Sequence, residues 1–122
     1  MEQVSLKDVH PDAFEMIAAR FRVLADPLRL RLLRELEGGE KNVSELVRLL
    51  GASQPSVSKH LRMLLEAGIV ARRQCGPAAY YHIVDPGVAG LCNLVCRSLQ
   101  EQIRNRAEVS LKVLGGSPEG ES

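Results

Sequence analysis

The run Gln54-Pro55-Ser56-Val57-Ser58-Lys59-His60-Leu61-Arg62 gathers amide, hydroxyl, imidazole, ammonium and guanidinium groups within nine residues. Amides and hydroxyls can hydrogen-bond the edges of nucleic-acid bases, and cations can meet phosphate oxygens. A second set is Cys92 and Cys96, two thiols at i and i+4. On a helix they share one face, with Cβ atoms ~6 Å apart. A disulfide needs Cβ atoms about 3.5–4.5 Å apart, so this pair cannot bridge without unwinding a turn. Two such thiolates could instead hold one soft ion such as As(III) or Cd(II). Cysteine is equally a small buried hydrophobe, and plain packing is the competing reading of both positions. Cys75 lies far along the chain and could join them only if its own turn folds back.

The first set needs a helix to present it. Ser53 can cap the start, Pro55 falls in the first turn where a missing N–H costs nothing, and Gly68 can end it. Val57, Leu61, Leu64 and Leu65 give an apolar stripe facing inward. Upstream, Phe14, Ile17, Ala18, Phe21 and Leu24 predict a first helix from about Pro11. Asp26-Pro27 is a cap followed by a proline start, opening a second helix to about Glu37 with Leu28, Leu30, Leu32, Leu33 and Leu36. Asn42 and Ser44 are candidate caps for a third helix, Glu45 to Leu50, with Leu46, Leu49 and Leu50 inward. Two helices joined through Gly51-Ala52 make a helix-turn-helix whose second member would be the reading helix.

Beyond Gly68 the period changes. Ile69 to Gln74 and Ala79 to Val84 read as strands, joined by turn chemistry at Cys75-Gly76-Pro77-Ala78. The fold class is therefore mainly α with a small β-hairpin, a winged helix-turn-helix. Arg72 and Arg73 could grip phosphate from the hairpin, or serve only as solubilising edge charges. Asp85-Pro86 opens the longest helix, to about Leu114, with Val88, Leu91, Cys92, Val95, Leu99, Ile103, Ala107 and Leu111 in one stripe. Such a helix is ~42 Å long, too long to bury on so small a body. A two-fold homodimer clasped through the first and last helices is expected. Residues 1–10 read as a flexible arm, 11–114 as one DNA-binding and dimerisation domain, and 115–122 as a disordered tail.

Formal net charge is only +1, so placement matters more than total. Between Gln54 and Arg73, four cations face one Glu66, a local excess of three positive charges. Three cysteines argue for reduced thiols and against a disulfide framework. No signal peptide is read at the N-terminus, and no run approaches the ~20 apolar residues of a membrane span. A cytoplasmic protein without membrane contact is expected. An enzyme is not: there is no Gly-rich phosphate loop or metal-hydrolase spacing, and Ser56 and His60 share one helix with no pocket. His10 and His82 read as incidental.

Three motifs in order carry a resemblance spanning residues 14 to 102. Ala25-Asp26-Pro27-Leu28-Arg29-Leu30-Arg31-Leu32-Leu33 resembles the helix entry of ArsR/SmtB-type winged-helix repressors. Ser53 through Leu61 resembles their reading helix, and Arg72-Arg73 through Tyr80-Tyr81 their wing. The resemblance implies a dimeric repressor of double-stranded operator DNA, released by a metal, a metalloid or a thiol-reactive signal. It implies Gln54, Ser56, Ser58 and His60 as reading residues, with Lys59, Arg62, Arg72 and Arg73 on phosphate; Val57 is counted in the same DNA-contact set. Two family metal sites are missing. Asn42-Val43-Ser44-Glu45-Leu46 has no thiol where arsenic and cadmium sensors carry Cys-x-Cys. The last-helix positions are Asp85, Gly87, Ser98 and Glu101, a poor zinc set. Cys92 and Cys96 are then the tentative metal ligands. The alternatives are a repressor with no metal effector, or a winged-helix protein-interaction module; the latter would need an apolar patch where this helix is polar and basic.

Overall fold

In the computed structural model residues 4–113 are described, with side chains as far as Val109. The tail expected at 115–122 and the first three residues of the expected arm lie outside them. The chain divides into two compact units, Met1–Asp85 and Pro86–Ser122.

The first unit begins with a single 3-10 turn at Leu6–Asp8, inside the expected arm. Helix α1 spans Ala13–Leu24 and α2 spans Pro27–Glu37. Asp26 opens α2 as the Asp-Pro pair predicts: its Oδ1 accepts from the Leu28 and Arg29 N–H groups at 2.9 and 3.2 Å. Leu32, Leu33 and Leu36 then enter the core, whereas Leu30 is exposed. Strand β1 (Lys41–Asn42) leads directly into α3 (Val43–Leu50). The start of α3 is two residues earlier than Glu45. Asn42 Oδ1 accepts from Glu45 N–H at 2.9 Å while Glu45 Oε1 accepts from Asn42 N–H at 3.2 Å. That reciprocal box satisfies two donors that a helix start otherwise leaves open. Leu46 and Leu50 are buried, but Leu49 is exposed, contrary to its expected inward position.

Gly51 ends α3 with φ 63°, a left-handed conformation that favours glycine. Ser53 Oγ then accepts from Ser56 N–H at 3.3 Å and starts α4 (Gln54–Glu66). Strands β2 (Val70–Cys75) and β3 (Ala78–Ile83) follow as an antiparallel hairpin with Cys75 opposite Ala78. The intervening Gly76 has φ 60° and Pro77 fixes its own φ near −65°, the combination of a II′ hairpin turn. The sheet has three strands in the order β1-β3-β2, with Lys41 opposite Tyr81 and Asn42 opposite Tyr80. The hairpin forms as the sequence predicts, and β1 adds a third strand along β3. A two-residue strand carries no alternation to read; it exists because a distant partner pairs with it.

Among the described residues the second unit is helix α5 (Pro86–Val113). It forms over the span its proline start and apolar stripe predict. Leu94, Val95, Leu99, Ile103 and Val109 are exposed on it, as Phe14, Met16 and Phe21 are on α1. Among the described residues no helix is long and apolar enough to cross a membrane.

The α2 cap yields a measurable cost. Asp26→Ala should lower the unfolding free energy by about 1 kcal/mol, read by urea titration at pH 7. Hydrogen bonding from the Arg29 N–H, aided by the charges of His60 and Arg29, lowers the Asp26 pKa from its ordinary 3.8. The stabilisation is therefore complete above the unfolded value and is lost as pH falls through the folded one, so the difference between the two proteins closes only in acid. Equal stability at pH 7 would show that water serves those two donors as well.

Candidate nucleic-acid interface

Helix α4 is fixed in rotation by its buried side. Val57, Leu61 and Leu64 have 0% exposure, and successive residues turn about 100° around the axis. The opposite crest must then carry Pro55, Lys59 and Arg62, and all three are exposed. Gln54 and Ser58 run along one flank beside the crest, the first exposed and the second half-buried. Ser56 and His60 run along the other flank, both half-buried.

The DNA-contact set expected from sequence is thus brought together only in part. Lys59 and Arg62 form the outermost pair, with hydroxyls at Ser56 and Ser58 to either side. Val57 is corrected: it is wholly enclosed and cannot touch a base, because the stripe that holds the helix needs it. His60 is turned towards α2. Its Nδ1 is buried without a hydrogen-bond partner, and its charge is felt by Asp26. The spacing held the signal, since His60 sits three residues after Val57 and four before Leu64, at the edge of the buried stripe.

Three residues of α2 and its flank hold α4 and the elements around it, and the sequence gives none of them a role there. Arg29 is buried at 8% exposure and its Nη1 donates to Met63 Sδ on α4 at 2.7 Å. Arg31 Nη2 donates to the Leu50 carbonyl at the end of α3 at 3.0 Å. A cation there meets the negative end of a helix and steadies the turn into α4. Glu40 is the third. It binds Arg73 on β2 through Nε at 3.2 Å and Nη2 at 2.5 Å. That bonding lowers the Glu40 pKa, and Glu40 together with the Cys75 thiol raises the pKa of Arg73.

The two wing arginines lie on opposite faces of the sheet. Adjacent strand residues point to opposite faces. Arg72 shares its face with its partner Tyr81, and Arg73 with its partner Tyr80. Arg73 lies over the Tyr80 ring, 5.4 Å from its centroid. Arg72 donates to Gln74 Oε1 at 3.1 Å and is exposed.

On α5, Cys92 is half-buried and Cys96 exposed, while Cys75 is exposed on the wing. All three are free thiols. Among the described residues no three His, Cys, Asp or Glu side chains lie close enough to hold a metal ion.

Residues 26–72 match the family model described as bacterial regulatory protein, arsR family. A probable mercury resistance operon repressor of Streptomyces lividans is 45% identical over 85 residues, which cover 70% of this chain and 66% of that protein. This chain thus spans just under two thirds of that repressor. A transcriptional repressor SmtB homolog of Synechocystis sp. is 35% identical over 101 residues, covering 83% of this chain and 76% of its own length. Among solved structures, a homodimeric winged helix-turn-helix DNA-binding domain from Mycobacterium bovis superposes with a TM-score of 0.68 at 30% identity. It covers 83% of this chain and 92% of its own, and is described as a possible ArsR-family transcriptional regulator.

Truncating the enclosed valine separates packing from contact. Val57→Ala should cost about 1.5 kcal/mol of stability, from two buried methyl-sized groups at ~0.8 kcal/mol each. Its preference among DNA sequences should match that of the unmodified chain. A changed preference in a competition titration would return Val57 to the contact surface.

Proposed function

This chain belongs to the ArsR family of bacterial regulatory proteins, DNA-binding transcriptional regulators rather than enzymes, and from that premise we propose a homodimeric operator repressor whose release is coupled to ligation of its α5 thiols. One observation carries the DNA reading: the buried stripe of α4 leaves Lys59 and Arg62 on an exposed crest flanked by short polar side chains. Those cations, with Arg72 from the wing, meet phosphate and set the register. Gln54, Ser56 and Ser58 lie where base edges would be reached. The exposed apolar side chains of α1 and of α5 supply surface for a second copy, and the M. bovis neighbour is homodimeric. Double-stranded operator DNA places the site of action in the cytoplasm.

The effector is argued from donor chemistry. Cys92 and Cys96 present two soft donors on one face of α5, which suits a thiophilic ion such as As(III) or Cd(II). The relative named for mercury resistance is in keeping with a soft ion. Two thiols are too few for a closed tetrahedral zinc site. Further donors would come from the second copy or from solvent.

Three cations per subunit, six per dimer, give a slope of log affinity against log salt of about −5. A slope near zero in a fluorescence titration would remove the DNA reading. Within that reading, Lys59→Ala should weaken binding to all sequences alike, whereas Gln54→Ala should relax preference at one base pair. Identical patterns from both would overturn this division of roles.

For the effector, Cys92→Ser combined with Cys96→Ser should leave operator binding intact and abolish release by arsenite or cadmium. An unaltered response would return both thiols to packing.

A further inference from the structure

We propose that Glu40 and Arg73 form a strut that holds the wing against the helix-turn-helix, so that Arg73 positions the wing and Arg72 is its phosphate contact. The inference rests on the DNA-binding reading above. Glu40 immediately precedes β1, and Arg73 lies on β2, at the other edge of the sheet. The Arg73 side chain therefore reaches across Tyr80 of β3 to join the two edges. Strand β1 runs straight on into α3 through Asn42, the cap of that helix. A carboxylate beside β1 that grips β2 thus fixes the wing relative to α3, which turns directly into α4.

The geometry also says what Arg73 does not do. Its guanidinium meets a carboxylate along one edge, through Nε and Nη2, and an aromatic ring on one face. That fork is the one that would otherwise clasp a phosphate. Arg72 stands on the opposite sheet face, and its hydrogen bond to Gln74 leaves its charge unbalanced by that neutral partner. The wing thus offers DNA one uncompensated cation, the third counted per subunit above beside Lys59 and Arg62.

The test measures operator affinity against salt for the full chain, with circular dichroism to confirm that each variant is folded. Arg72→Gln should reduce the slope by about two, the two phosphates it serves in a dimer. Arg73→Gln should weaken binding severalfold and leave the slope at about −5, and Glu40→Gln should weaken binding severalfold as well. Combining Glu40→Arg with Arg73→Glu rebuilds the pair in reverse, and should recover most of the affinity that either single reversal loses. The strut is overturned if Arg73→Gln flattens the slope as Arg72→Gln does. It is also overturned if Glu40→Gln tightens binding, or if the double reversal binds no better than Arg73→Glu alone. A slope near zero for the unmodified chain removes the DNA reading and the strut together, whereas the other three failures remove the strut and leave that reading standing.

Discussion

Withdrawal of Val57, Leu61 and Leu64 from water fixes how α4 sits about its own axis. Burying an aliphatic side chain of that size contributes about 1.5–3 kcal/mol, and all three are completely covered. A rotation by one residue position would expose part of the stripe and drive Arg62 or His60 against leucines. The helix therefore has one orientation, and the identity of its outward side chains follows from the identity of its inward ones. The outward display of Lys59 and Arg62 is in this sense a by-product of hydrophobic packing on the far side of the same helix.

The arginines of α2 show how that orientation is held. They alternate with leucines, and a charge count alone would leave all of them in solvent. Arg29 instead reaches α4 through the Met63 sulfur, and Arg31 reaches the carbonyl at the end of α3. Long side chains of this kind pack their stems on apolar neighbours and deliver the charged head at a distance. One lies on each side of the short connection through Gly51, so α2 braces both members of the helix-turn-helix.

Local signals were legible in the sequence and distant ones were not. Asp26-Pro27, Ser53 with Pro55, Gly51 and Gly76 each settle a helix end or a turn through their own backbone chemistry, and each appears where the residues place it. The Asn42-x-x-Glu45 box was present too, but Ser44 competed with it as a cap and displaced the start of α3. Strand β1 had no pattern of its own and exists through pairing with Tyr80 and Tyr81. In the site, Lys59 and Arg62 were readable because periodicity alone turns them outward. Val57 belonged to two sets at once, and burial decides between them. Arg73 could not be told from Arg72 without knowing that Glu40, 33 residues earlier, lies within reach.

The pairing of β1 with β3 bears on the order in which the chain assembles. The helix-turn-helix and the β2–β3 hairpin are each built from neighbours in sequence, and such contacts form early because little loop entropy opposes them. Lys41 and Asn42 must wait until Tyr80 and Tyr81 have been positioned by everything between. Fraying of that sheet edge would therefore break a pairing that closes a long stretch of chain. Since Asn42 is both its final residue and the cap of α3, that fraying reaches the first turn of the helix-turn-helix without crossing the core.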